Sequence, residues 1–135
     1  MRNRVYVAFL LLIVVLLVSA CDRNKVLRQE SVNDAIKEFV ATHEAPGSDT
    51  YKGTFDDSSV VSVDPVQQYA KTEAVTIAHL TYKNERISNF PIDLKLRFIF
   101  RKTLDNKWIL TSFQNTSDYG GLYTSDNGHL NIAAQ

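Results

Sequence analysis

Hydrophobic positions follow different rules in different stretches of this chain, and each rule predicts an element. From Val5 to Val18 they form one uncharged run of 14 residues behind the basic start Met1-Arg2-Asn3-Arg4. Next, Val32, Ala35, Ile36, Phe39 and Val40 recur at spacings of three and four, the period of an amphipathic helix, with Lys37 and Glu38 on the far side. Ser31 followed by Asp34 resembles a hydroxyl N-cap with an acid three residues on, so the helix is expected from Ser31, with a start nearer Lys25 as the alternative. Ala45-Pro46-Gly47 cannot continue it, which sets the end near His43 or Glu44.

Beyond Gly47 the period changes to two. Tyr51 to Phe55 and Ser59 to Val63 are short strand candidates, separated by Asp56-Asp57 and stopped by Pro65. Glu73 to Lys83 sets Val75 and Ile77 on one side against Leu80 and Tyr82 on the other. The clearest strand runs from Pro91 to Thr103, where Ile92, Leu94, Leu96, Phe98 and Phe100 alternate with Asp93, Lys95, Arg97, Ile99 and Arg101. Leu104-Asp105-Asn106-Lys107 suits a hairpin turn, because Asp and Asn tolerate the left-handed backbone, and Trp108 to Phe113 returns as its partner. After Gln114 no period survives. The expectation is an α+β fold: one N-terminal amphipathic helix packed on a bent antiparallel sheet of about four to five strands. Residues 31–114 form the domain and 115–135 a loosely ordered tail.

The 14-residue apolar run is the length of a signal-peptide core and short of the roughly 20 residues that a spanning helix needs. Ser19 and Ala20 close it with small side chains, and the chain's single cysteine, Cys21, follows. Val18-Ser19-Ala20-Cys21 resembles the lipobox of bacterial lipoproteins. That resemblance implies removal of residues 1–20, a diacylglycerol on the Cys21 sulfur and an acyl chain on the new amine, with no other cofactor. It also implies a location on the cell envelope. Asp22 resembles the residue that keeps such lipoproteins in the inner membrane facing the periplasm, with the outer membrane as the alternative. Each buried methylene contributes about 0.8 kcal/mol, so a two-chain anchor holds where one chain would not. Residues 21–30 are then a lipidated tether.

The order of one helix, a curved antiparallel sheet and a closing hairpin at Asn106-Lys107-Trp108-Ile109-Leu110 is similar to a cystatin/NTF2-like roll. Enzymes of that kind carry acids or bases inside the sheet, whereas here the inner face of the best strand is Leu94, Leu96, Phe98 and Phe100.

Charge and motifs narrow the function classes. The chain carries 15 basic and 15 acidic residues, and losing Arg2 and Arg4 leaves 13 against 15, which gives nucleic acid no basic surface. His43, His79 and His129 lack metal-ligand spacing, and no glycine-punctuated acidic loop follows Asp56-Asp57. His79 with Tyr69 or Tyr82 is the one candidate polar pocket. No nucleophile elbow or phosphate loop is present. The reading is a membrane-anchored, non-enzymatic envelope lipoprotein that engages a protein partner, with Lys95, Arg97 and Arg101 as the interaction face. Two alternatives stand beside it. One is a small apolar or lipidic ligand held against Leu96, Phe98 and Phe100. The other is an exclusion or immunity lipoprotein of the plasmid or phage type.

Overall fold

The computed structural model describes residues 26–43, 53–86, 88–117 and 128–135. The signal segment, Cys21 and Asp22 lie outside these residues, as do Pro46, Gly47, Tyr119, Leu122 and Tyr123. Helix α1 spans Gln29–Thr42, and six strands follow: β1 Val60–Val63, β2 Gln67–Ala70, β3 Glu73–Asn84, β4 Ser88–Lys102, β5 Trp108–Asn115 and β6 Gly128–Ala134. The fold is therefore α+β, one helix packed against an antiparallel sheet.

The sheet runs β1-β3-β4-β5-β6, with β2 also pairing β3, and every pair is antiparallel. β1 and β2 are two pieces of one row laid along β3: Val63 faces Ala78, and Gln67 faces Val75. The row breaks at Asp64-Pro65-Val66 because Pro65 has no N–H to donate. The backbone groups freed there find other partners. Asp64 N–H donates to Ile77 O at 2.8 Å, Thr76 Oγ1 donates to Asp64 O at 2.6 Å, and Val66 N–H donates to Gln29 Oε1 at 2.7 Å. A helix side chain thus ties down the break in the sheet's edge.

One face of the sheet is covered. Val32, Ala35, Ile36, Phe39 and Val40 of α1 are buried against Ala74, Ala78, Leu80 and Tyr82 of β3, Leu94, Leu96, Phe98 and Phe100 of β4, and Leu110 and Phe113 of β5. Phe39 is the hub, with ring centroids 5.0 Å from both Phe98 and Phe113 and 6.1 Å from Phe55. In β5 the buried positions jump from Leu110 to Phe113. The register shifts between Leu110 and Ser112 absorb the odd step, and such bulges bend and twist a strand. Gly53 lies where a Cβ would overlap the Tyr82 ring and come within 2.9 Å of Lys83 O, so the chain can run beside the end of β3, where Thr54 bridges Lys83, only without a side chain at this position.

Three expectations need correction. Ser31 does not cap the helix: Arg28 is the N-cap residue, without a side-chain bond, and Ser31 Oγ instead donates to Gln135 O at 2.7 Å. The expected loose tail over 115–135 contains β6, which pairs with β5 and buries Ile132 and Ala134 in the core. The sheet has six strands rather than four or five: β2, exposed at every position and without alternation, and β6 were not expected, while Thr54 of the strand expected over 51–55 makes only an isolated bridge to Lys83.

Candidate functional site

Strand parity fixes where the candidate residues go. Even-numbered residues of β4 face α1, so Lys95, Arg97, Ile99 and Arg101 share the face that α1 does not cover. Register sets Lys95 beside His79, Arg97 beside Ile77, Ile99 beside Val75 and Arg101 beside Glu73. From β5, Ile109, Ser112 and Gln114 pair with Arg101, Ile99 and Arg97 in turn. The structure therefore brings the basic row together on the face away from α1, interleaved with partly exposed isoleucines and the buried Val75.

Neighbours hold two of the three cations in place. Arg97 Nη2 donates to Tyr69 Oη at 3.1 Å, and Arg101 Nε lies 3.6 Å from Glu73 Oε2. Lys95 is exposed, and its backbone N–H donates to Ser117 Oγ at 2.8 Å. Tyr69, on the exposed strand β2, is 55 % exposed and completes the patch; periodicity gave no reason to single it out. Acidic groups frame the same side: Glu73 against Arg101, and Asp64 with an oxygen 3.9 Å from His79 Nε2. The face is of mixed charge, held by cross-strand pairs of the kind that stabilise sheets.

The opposite face is packed by protein among the described residues. Leu96, Phe98 and Phe100 are fully buried together with the α1 stripe, Phe98 against the Phe39 ring. His79 and Tyr82 fall on opposite faces of β3 and do not form a pocket, while Tyr69 is engaged by Arg97. His43 stacks on Phe39 with ring centroids 4.7 Å apart, which makes it part of the helix end. His129 stands opposite Ser112 in the β5–β6 ladder.

Asp56 caps a turn. Its Oδ1 accepts from Ser58 N–H at 2.9 Å, and its Oδ2 accepts from Lys83 Nζ at 2.6 Å. The Lys83 ammonium, then the Ser58 hydroxyl and N–H, hold this carboxyl well below the usual carboxylate range. Asp56 in turn raises the Lys83 pKa. Among the described residues no cluster of three or more His, Cys, Asp or Glu could hold a metal ion, and no helix is long and apolar enough to cross a membrane.

A groove of about 560 Å³ lies at the end of the molecule where the described chain begins, lined by Leu27, Arg28, Ser31, Asn106, Trp108 and Gln135 among others. No sequence signal marked it, because it is assembled from the helix start, the β4–β5 turn and the end of β6. No family model matches this chain, and neither a curated protein nor a solved structure matches it.

Proposed function

We propose that the protein is a lipid-anchored, non-enzymatic envelope protein that docks a protein partner on its uncovered sheet face. The observation that carries this reading is the division of β4: one face is filled by α1, and the other presents Lys95, Arg97 and Arg101 with Ile77, Ile99 and Tyr69. Arg and Tyr are enriched where interfaces concentrate binding energy, and apolar groups between them supply area to desolvate. Arg97 is already oriented by Tyr69, which lowers the entropy lost when a partner engages it. The anchor rests on the lipobox resemblance of Val18-Ser19-Ala20-Cys21, with diacylglycerol and an acyl chain on Cys21, and Asp22 favours the inner membrane facing the periplasm. The cystatin/NTF2-like roll is supported by the element order, helix first and then sequential antiparallel strands with bulges.

The test is crosslinking and affinity capture from native membranes with the full-length, lipidated protein. A partner is expected to be enriched with the unaltered chain and with Lys37→Glu on the outer side of α1. Arg97→Glu should lose it, as should Cys21→Ser, which removes the lipid. Capture that survives Arg97→Glu would place the contact elsewhere and overturn the assignment of this face.

A further inference from the structure

We propose that the turn between β4 and β5 is a membrane-contacting tip that sets Leu104 into the interfacial layer of the bilayer. The inference rests on the lipid-anchor reading and adds to it an orientation of the domain on its membrane.

Leu104 is fully exposed at the apex of a well-braced turn. Thr103 N–H donates to Lys107 O at 2.8 Å, Asn106 N–H donates to Thr103 O at 3.0 Å, and Asn106 takes the left-handed φ of 60° that lets the turn close. A turn so braced holds its apical side chain in place, and an exposed leucine there gains free energy when its apolar surface leaves water.

The position of this tip is what selects the occupant. Val26, Leu27, Asn106, Lys107 and Trp108 line one groove, so the start of the described chain and the turn belong to the same end of the molecule. Cys21 precedes Val26 by five positions, a span of at most about 18 Å even fully extended. Acyl chains on Cys21 therefore hold this end against the bilayer. The opposite turn, at Glu85-Arg86, stands a β4 length away, up to about 45 Å at roughly 3.3 Å per residue.

Charges at the tip end are mixed. Arg28, Lys71, Lys102 and Lys107 stand among Glu30, Asp34 and Asp105, and Lys102 Nζ is drawn over the Trp108 ring at 5.7 Å. The contact is accordingly apolar in origin, and anionic headgroups are not required for it.

The experiment uses the full-length lipidated protein carrying Leu104→Cys. Cys21 is the chain's only native cysteine and its sulfur is acylated, so an environment-sensitive fluorophore labels the introduced thiol alone. Glu85→Cys, labelled in the same way, is the reference. Both are reconstituted into phosphatidylcholine vesicles, with or without phosphatidylglycerol, that contain a spin-labelled quencher lipid. The expected result is blue-shifted, quenched emission at position 104 in both lipid mixtures and wet, unquenched emission at position 85. Vesicle-bound protein whose position 104 is as wet as position 85 would overturn the tip and leave the anchor standing. Quenching that needs phosphatidylglycerol would overturn the apolar contact. Protein that fails to float with vesicles would overturn the anchor, and the tip with it.

Discussion

At the scale of single residues, the sharpest electrostatic feature is the Asp56 turn. Its carboxylate is stabilised by Lys83 first and by Ser58 second, and both bonds are made in the folded state. A carboxyl whose folded pKa lies below its unfolded value of about 3.9 contributes stability that is present above that value and lost as pH falls toward the folded pKa. The pair is solvent-exposed, so salt screens it and its contribution is small. Carboxyl-carbon NMR should therefore find Asp56 ionised well below pH 3.9, and Lys83→Met should move its midpoint up toward the ordinary range. A midpoint unmoved by Lys83→Met would leave Ser58 as the dominant partner. The sequence offered Asp56-Asp57 only as the break between two strand candidates. The identity of the partner lies 27 positions away on β3, which no local pattern can reveal.

At the scale of elements, α1 holds the sheet by an aromatic hub and by long-range side-chain bonds from Gln29 and Ser31. Phe39 is fully buried among Phe55, Phe98 and Phe113, so Phe39→Ala should cost about 3–5 kcal/mol in denaturant unfolding. Ser31→Ala removes only the bond to Gln135 O and should cost about 0.5–1.5 kcal/mol, read from the same midpoint shift. A larger loss for Ser31→Ala than for Phe39→Ala would mean that the β6 tie, rather than packing, fixes the helix. These elements also show what was legible in the sequence. The α1 stripe, both faces of β3 and β4, and the Asn106 turn follow from period and local backbone preference, and the structure agrees with them. β2 was invisible because Gln67-Gln68-Tyr69-Ala70 buries no side chain and owes its form to β3. β6 was faint because its inward alternation, Leu130, Ile132 and Ala134, is short and ends in a small side chain. Ser31 misled because a hydroxyl at a helix start serves either a cap or a distant carbonyl, and only the fold decides which.

At the scale of the whole molecule, the two faces of one sheet divide the work. Packing against α1 occupies one face throughout, and the candidate docking residues stand on the other with their cross-strand neighbours. The basic row was legible from alternation in β4 alone, whereas Tyr69, its partner from β2, required the fold. If the division holds, stability and binding separate by strand parity along β4. Phe98→Ala should lose about 3–5 kcal/mol, because its fully buried ring would leave a cavity beside Phe39 and Phe113. Arg97→Glu, one position earlier, should change stability by no more than about 0.5–1 kcal/mol, because it loses an exposed bond to Tyr69 and little packing. Both can be followed by fluorescence of Trp108, the chain's single tryptophan, which is 3 % exposed and reports unfolding directly. Comparable losses for the two variants would make the uncovered face structural. A stable Arg97→Glu chain that no longer captures its partner would show that β4 spends alternate residues on folding and on recognition.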